Sequence, residues 1–179
     1  AYLLEAINDA DEALERGDIL KAMFFVPPQN SKSTHASQLF PAWYLGRHAR
    51  EHVILASYGQ ELASRNGRIV RGLLSSEYWP FEVGLAFESR AVHRWGTSRG
   101  GGLVAVGVGG GLTGTPGHLI VIDDPHKDRE EADSPLYRER AWEWWTDVVQ
   151  TRRAPQAREL VSATRWHEDD LPGRILNSD

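Results

Sequence analysis

The sequence predicts an α/β protein whose sheet is open and mostly parallel, with helices on both faces. Continuous apolar runs at residues 22–26, 53–56 and 119–122 are typical of strands that are buried on both faces of a parallel sheet. Segments with apolar residues at helical spacing separate these runs, and strands that alternate with helices favour parallel crossovers. Because 179 residues is close to the usual size of one domain, we expect a single domain over residues 1–179.

The first fifty residues are expected to form a helix, a strand and a second helix. Apolar residues recur at helical spacing over 3–14, and Gly17 follows as a stop signal, which predicts a helix. The apolar run at 22–26 ends in two prolines, as a buried strand does where its sheet pairing stops. The mixed segment at 35–46 is expected to be a helix disturbed at Pro41, since proline cannot donate to the preceding turn.

The middle of the chain is expected to hold a strand, a helix and a hairpin. A second buried strand occupies 53–56, and apolar residues at helical spacing over 62–74 predict a helix. Residues 75–90 show no clear pattern and are expected to be a loop. Two strands at 91–97 and 103–108 flank a glycine-rich turn, which predicts a β-hairpin.

The last third is expected to contain two strands and two helices. The apolar run at 119–122 leads into two aspartates. A serine in the capping position and a proline in the first turn predict a helix from Pro135 to about Arg152. Residues 159–164 are expected to be the final strand, and 167–176 a short closing helix.

The composition excludes several classes of function. Cysteine is absent, which excludes disulfide frameworks, thiolate zinc sites and cysteine nucleophiles. No apolar run approaches the roughly 18 residues that cross a bilayer, so we expect a soluble, intracellular protein without a membrane partner. Because the net charge is −5, a contact with DNA would require a local basic patch.

The cluster of Trp142, Trp144 and Trp145 is expected in the core, with a subunit or domain contact as the alternative.

The first motif that carries chemistry is the loop after the first strand. A strand, a tight loop, and then Lys32 and Ser33 opening a helix is the layout of a phosphate-binding P-loop. Backbone N–H groups would hold phosphate oxygens, Lys32 would pair with the β- and γ-phosphates, and the Ser33 hydroxyl would bind Mg²⁺. Because Val26 and Ser31 replace the glycines of the pattern, a solvated loop explains this segment alone equally well.

Two further motifs follow strands. Asp123 and Asp124 end the run at 119–122; in a P-loop enzyme the first carboxylate holds Mg²⁺ and the next polarises the attacking water. A core strand with a solvated acidic turn is the plain alternative. The strand at 159–164 ends in small hydroxyl residues that could sense the γ-phosphate and transmit its loss.

Together the three motifs resemble the ATPase domain of the large terminase subunit of tailed bacteriophages. Further segments carry this resemblance, which covers about residues 20–176: FPAWYL at 40–45, VILASY at 53–58, GGLTG at 110–114, IDDP at 122–125 with DREEADS at 128–134, and TRWHEDDL at 164–171. The last two motifs are long and specific, far stronger than the P-loop itself.

The resemblance implies an ASCE-type P-loop NTPase with a three-layer fold. Such a motor hydrolyses ATP with Mg²⁺ to drive double-stranded DNA through the portal protein into a procapsid in the host cytoplasm. It works with the small terminase subunit as a homo-oligomeric ring, usually of five subunits, while the isolated domain is expected to be a monomer. The chain corresponds to the family's N-terminal ATPase domain, truncated at its start, and the C-terminal nuclease domain is expected to be absent.

Residue by residue, the resemblance assigns Lys32 to the phosphates and Ser33 and Asp123 to Mg²⁺. Asp124 matches the catalytic carboxylate, although many relatives carry Glu there, and Glu130 and Glu131 are the fallback candidates. The catalytic set is therefore Asp124, Lys32 and Asp123. The coupling motif matches Ser162, Ala163 and Thr164. The expected nucleotide-binding residues are Gln29, Asn30, Ser31, Lys32, Ser33 and Thr34.

Two departures from the family pattern leave alternatives open. Ser31 replaces a glycine, which costs about 1 kcal/mol if that position needs a positive φ. Thr115 stands where relatives often carry an arginine that acts on a neighbouring subunit; Arg94, Arg99, Arg129 and Arg165 are the possible substitutes. The alternative function is a nucleotide-binding assembly module with weak or no hydrolysis. A third hypothesis is a metal-dependent nuclease built on Asp123, Asp124 and Asp128.

Overall fold

The computed structural model describes residues 21–27, 29–87 and 91–178, together with Glu12 and Arg16. The helix expected over 3–14 falls, apart from Glu12, outside the described residues. Within the described ranges, no helix has the length and apolar character that crossing a bilayer requires.

In the described part of the chain, one sheet of six strands forms the centre of the fold. The strands are β1 (Lys21–Phe25), β2 (His52–Ser57), β3 (Arg94–Gly96), β4 (Gly102–Gly107), β5 (Gly117–Asp123) and β6 (Arg153–Ala163). Their order across the sheet is β1–β6–β5–β2–β4–β3, and neighbouring strands are parallel except β3 and β4, which form an antiparallel hairpin. The α/β class, the mostly parallel sheet and the hairpin that the sequence predicts are confirmed.

Helices connect the strands and close the described chain. They are α1 (Phe40–Arg47), which continues a π-helical segment (Thr34–Leu39), α2 (Gln60–Leu74), α3 (Arg129–Asp133), α4 (Pro135–Glu143), which runs into a π-helical segment (Trp144–Val149) and a 3₁₀ turn (Gln150–Arg152), and α5 (Leu171–Ser178). The disturbance expected at Pro41 is present as the π-helical segment before it, because proline offers no N–H to the preceding turn. The short α3 was not predicted, since five residues show too little periodicity.

Apolar clusters cover both faces of the sheet, as the sequence predicts. Val53 and Leu55 of β2 belong to the cluster that includes residues of α1 and α2. Ile54 and Ala56 belong to the cluster that includes residues of α4 and α5. Since successive side chains of a strand point to opposite faces, this alternation is the reason that the run at 53–56 is continuously apolar.

The tryptophan cluster lies in the core beneath α4. Trp144 and Trp145 are 3% and 4% exposed, and Trp142 is half-buried against the same apolar cluster. The indole N–H of Trp144 donates to the Gly110 carbonyl at 2.8 Å, which satisfies the polar end of a buried ring. The expected core packing is confirmed, and the π-helical turn changes the angular spacing of adjacent rings so that both are buried.

Strand β6 is longer than predicted. It begins at Arg153 rather than at residue 159, so the predicted start was wrong. A proline followed by Gln156, which has a φ of 61°, hides the strand pattern, because neither a proline nor a left-handed residue is typical of a strand interior. The pairing with β5 shifts register between Gly117 and Leu119, which accommodates this irregular start.

Helix α5 begins later than predicted, at Leu171 rather than at residue 167. Asp170 is the reason: its carboxylate accepts a hydrogen bond from the Gly173 N–H at 3.0 Å, the geometry of a helix N-cap. The same carboxylate pairs with the Arg165 guanidinium at 3.0 Å. The segment between β6 and α5 is therefore a loop held by one buried acid.

Candidate functional site

Three loops meet at one edge of the sheet. They follow β1, β6 and β5, which are adjacent and parallel, so their carboxyl ends share the edge where open α/β sheets bind ligands. The Val26 N–H donates to the Ala163 carbonyl at 3.3 Å, and the Asp124 N–H donates to the Ser162 carbonyl at 2.8 Å. The three motifs singled out in the sequence are thereby brought together.

The loop after β1 is a tight turn that opens a helix. Gln29 and Ser31 have φ angles of 65° and 58°, in the left-handed region that favours glycine. The Asn30 side-chain amide donates to the Pro27 carbonyl at 3.2 Å. From Lys32 onward the backbone is helical, so this loop delivers Lys32 at the first turn of a helix, as the P-loop layout requires.

Ser31→Gly is expected to raise the free energy of unfolding by about 0.5–1 kcal/mol, because glycine relieves the left-handed strain at some cost in unfolded-chain entropy. Urea denaturation measures the shift as a higher midpoint with an unchanged slope. The matched control is Ser75→Gly, since Ser75 is exposed and has a φ of −101° and glycine relieves nothing there. A midpoint that stays the same or falls in Ser31→Gly would contradict the strain at this loop.

Lys32 is the centre of a small polar network. Its ammonium donates to the Asp124 carboxylate and, at 2.8 Å, to the Thr164 hydroxyl. The Thr164 N–H donates to the same carboxylate at 3.0 Å, and Lys32 is only 6% exposed. A largely buried cation that is held by one carboxylate and one hydroxyl can exchange these partners for other anionic oxygens.

The backbone of Asp124 is fixed from both sides. Its N–H donates to Ser162 in β6, and its carbonyl accepts from the Tyr58 N–H at 2.9 Å just beyond β2. Its φ is 46°, and a non-glycine residue in this region is held there by its surroundings. The turn at the end of β5 therefore fixes the carboxylate of Asp124 beside Lys32, while Asp123 remains in the strand.

Asp123 has a fully buried carboxylate at the end of β5. It is 0% exposed, and neither of its oxygens has a hydrogen-bond partner of ordinary geometry among the described residues. Burial raises its pKa above the usual value, and the charge of Asp124 adds to the rise. The hydroxyls of Ser33 and Ser37 and the ammonium of Lys32 lower the pKa, but burial outweighs them.

The chemistry of this pair fits a magnesium ion. Mg²⁺ prefers oxygen ligands and is usually held by one or two carboxylates together with substrate phosphates. Asp123 offers two unpartnered carboxylate oxygens, and the Ser33 hydroxyl is near enough to affect its pKa. A buried carboxylate without a partner is costly, and a cation at this position would remove that cost.

An open cavity of about 360 Å³ lies against this network. Its lining is polar and comes from the three loops: Gln29, Ser31, Lys32, Ser33, Thr34, Asp124, Lys127, Thr164 and Trp166. Five of the six residues expected to bind nucleotide are in this lining. Asn30 is not among them. Ser162 and Ala163 do not line the cavity either, but their carbonyl groups accept hydrogen bonds from the Asp124 and Val26 N–H groups.

Lys127 and Trp166 are lining residues that the sequence did not single out. Lys127 stands three residues after Asp124, and Trp166 stands two residues after Thr164. At these short separations the conformation of the loop decides where each side chain points. The available signal was composition, since the chain has three lysines, Lys21, Lys32 and Lys127. In a chain with 20 basic residues, two of its few lysines at one cavity is a feature to explain.

The carboxylates considered as alternatives to Asp124 do not line the cavity. The Glu131 N–H donates to Asp128 at 3.0 Å, which makes Asp128 the N-cap of α3, and the Glu131 carboxylate accepts from the Lys127 N–H at 2.9 Å. Glu130 is exposed, and none of these acids lines the cavity. Among the described residues, no group of three or more histidines or acids is placed to hold a metal, so the nuclease hypothesis gains no support.

The four arginines considered as substitutes for an arginine at position 115 do not line the cavity. Arg94 donates to Thr115 at 2.6 Å and to Thr113 at 2.7 Å, which fixes it on the loop after β4. Arg165 pairs with Asp170. Arg129 is exposed and lies 3.6 Å from the Asp133 carboxylate, and Arg99 lies in the hairpin turn before β4, at the opposite edge of the sheet. The cations in the described lining of the cavity are Lys32 and Lys127.

A second cavity, of about 420 Å³, lies over α1. Aromatic and aliphatic side chains dominate its lining, which runs from Leu39 and Trp43 to the segment at 76–81 and contains no carboxylate, lysine or arginine. Such a surface cannot balance the charge of a polyanion. The cavity at the carboxyl edge, which is lined by Lys32, Lys127 and Asp124, is therefore the better candidate for an anionic ligand.

The cavity at the carboxyl edge combines a phosphate-loop geometry with an acid, Asp124, that is held by lysine, and the predicted metal ligand Asp123 is fully buried and does not line it. No protein-family model matches this chain, and no curated protein matches it significantly.

Proposed function

We propose that this chain is a Mg²⁺-dependent ATPase with a P-loop NTPase fold, the motor domain of a phage terminase large subunit. One observation carries the proposal. Lys32, Asp124 and Thr164 come from three loops far apart in the chain and form one hydrogen-bonded network, beside the buried and unpartnered Asp123. A P-loop enzyme needs this set of groups to bind a triphosphate and to position water.

The strand order supports the finer assignment of the fold. β6 lies between β1, which precedes the phosphate loop, and β5, which precedes the two acids. This position of β6 brings a third strand end to the phosphate loop. It puts the end of β6, with Thr164, in contact with both the lysine and the acid.

The chain's own groups suggest how hydrolysis would proceed. The N–H groups of the loop and of the first helical turn bind phosphate oxygens, and Lys32 transfers from Asp124 to the β- and γ-phosphates. The released Asp124 carboxylate accepts a proton from the attacking water. Mg²⁺, when bound, would be held by Asp123 and Ser33 and would neutralise charge that develops on the phosphates. The Asp124 turn keeps the base in place without reorganisation.

The coupling role proposed for 162–164 has a physical basis. The carbonyl of Ala163 accepts from Val26, and the hydroxyl of Thr164 accepts from Lys32 and lies 3.4 Å from the Val26 carbonyl. When the γ-phosphate leaves, Lys32 changes its hydrogen-bond partners, and this change alters the contacts of Thr164 at the end of β6. We propose that a ring of subunits on the portal protein converts that change into movement of double-stranded DNA, with the small terminase subunit as a further partner.

A second candidate function is a nucleotide-binding assembly module with little hydrolysis of its own. Two observations favour it. Ser31 adopts a φ of 58°, so the departure from glycine falls where the loop is left-handed. Position 115 itself holds a threonine, which is 7% exposed and accepts a hydrogen bond from Arg94, where relatives often carry an arginine.

Steady-state ATP turnover at several chain concentrations, with and without Mg²⁺, tests the proposal. We expect turnover that requires Mg²⁺ and that rises faster than linearly with concentration, because a ring completes the site. Nucleotide binding without turnover would favour the assembly module instead. DNA cleavage without nucleotide would favour the nuclease, and absence of both binding and turnover would overturn the P-loop assignment.

A further inference from the structure

Two of the chain's three lysines line one cavity. Lys32 reaches it from the loop after β1, and Lys127 reaches it from the loop after β5. The Lys32 ammonium is already neutralised by Asp124. Lys127 is different: the nearest carboxylate recorded for its ammonium is that of Asp128, 3.9 Å away, and its side chain is 60% exposed. An exposed ion pair of this length is weak, so the Lys127 ammonium can exchange Asp128 for an anion in the cavity that it lines.

The loop that carries Lys127 is rigidly anchored. The imidazole of His126 is buried and accepts from the Leu171 N–H at 3.4 Å. On the other side Asp128 caps α3, and the Lys127 N–H itself donates to Glu131. The backbone of Lys127 is thus held on both flanks, while its side chain lines the cavity with Asp128 as its ion-pair partner.

The charge balance of the cavity needs this cation. A nucleoside triphosphate brings several negative charges, and the terminal phosphoryl group gains the charge that most affects the rate. In the described lining the acid is Asp124, and the cations are Lys32 and Lys127. Arg94, Arg129 and Arg165 contact Thr115, Asp133 and Asp170, and none of these arginines is in the described lining of the cavity.

We propose that Lys127 is a catalytic residue that binds the terminal phosphate of a nucleoside triphosphate and stabilises its charge during hydrolysis. It follows Asp124 in the chain and lines the same cavity as that carboxylate. Lysine acts there as a point charge. In this way the chain provides in cis the cation that the Thr115 position lacks. The inference rests on the proposed ATPase function.

Lysine-specific acylation read by mass spectrometry tests the proposal on the unmodified chain. The labelling rates of Lys21, Lys32 and Lys127 are compared in Mg²⁺ alone, with a diphosphate, and with a non-hydrolysable triphosphate analogue. We expect both nucleotides to protect Lys32, the triphosphate alone to protect Lys127, and Lys21 on the edge strand β1 to label at one rate throughout.

Matched variants give a second readout. Lys127→Ala is expected to weaken binding of the triphosphate analogue by about tenfold, with diphosphate affinity unchanged, since one charge-assisted contact is lost. ATP turnover should fall by about 10²–10³-fold, and Lys127→Arg should recover part of it. Lys21→Ala, the lysine control, should bind and turn over ATP like the parent chain.

The outcomes separate this inference from the proposed function. If Lys32 is protected while Lys127 labels at the same rate in all conditions, and Lys127→Ala retains full turnover, the role of Lys127 is overturned and the ATPase proposal stands. If neither lysine is protected by any nucleotide, both are overturned. Protection of Lys127 by the diphosphate as well would also contradict its assignment to the terminal phosphate.

Discussion

Asp124→Asn is expected to lower ATP turnover by about 10²–10⁴-fold, because an amide cannot accept the proton of the attacking water. The same change is expected to tighten nucleotide binding by about tenfold, since the carboxylate no longer competes with phosphate for Lys32. The two effects have opposite signs and one origin, the ion pair between Lys32 and Asp124. Single-turnover kinetics and an equilibrium titration on the same preparation measure both.

The control for this variant is Asp147→Asn. Asp147 is exposed on the π-helical segment after α4 and does not line the cavity, so turnover and affinity should stay at the parent level. Asn at position 124 retains a side-chain oxygen for the Thr164 N–H, which keeps the loop geometry. If Asp124→Asn turned over ATP at the parent rate, the catalytic carboxylate would have to be sought elsewhere, with the exposed Glu130 as the next residue to test.

Lys32→Met is expected to abolish turnover and to weaken nucleotide binding by about a hundredfold, because the charge that meets the β- and γ-phosphates is lost. It also leaves the Asp124 carboxylate without its cation. Since that side chain is 25% exposed, water compensates part of the loss, and the free energy of unfolding should fall by about 1–3 kcal/mol. Urea denaturation and an equilibrium titration read the two effects.

A double variant separates loss of binding from loss of folding. Lys32→Met combined with Asp124→Asn removes both charges, so most of the lost stability should return while nucleotide binding remains lost. This non-additivity in stability is expected because the two side chains are in direct contact. A folded Lys32→Met chain that still bound nucleotide at the parent affinity would contradict the assignment of Lys32 to the phosphates.

The residues that line or adjoin the candidate site could be located from the sequence because they stand near the ends of apolar runs. Asp123 ends the buried strand β5 and Thr164 follows β6, whereas Lys32 follows β1, which is an edge strand and only half-buried, so the buried strand expected at 22–26 was wrong. A mostly parallel sheet brings these strand ends to one edge. The run at 119–122 was readable for the same reason: burial on both faces requires a continuous apolar sequence. The residues and the edge of the sheet therefore followed from local pattern.

The pairing of Lys32 with Asp124 could not be predicted, because it depends on strand order. β6 lies between β1 and β5, and only this insertion lets Thr164 touch both partners. Lys127 was missed for a related reason. Its direction is set by the caps and anchors of a short loop, which leave no periodic signal in the sequence. The Asp170 cap that delays α5 is a contact of the same kind.

Titration calorimetry with a non-hydrolysable ATP analogue tests the central claim, that the carboxyl edge of this sheet binds a nucleoside triphosphate. We predict saturable binding of one analogue per chain that requires Mg²⁺, is weakened by Lys32→Met and is tightened by Asp124→Asn. Absence of binding to the folded chain at analogue concentrations up to about 1 mM, where even a −4 kcal/mol interaction is detectable, would contradict the account.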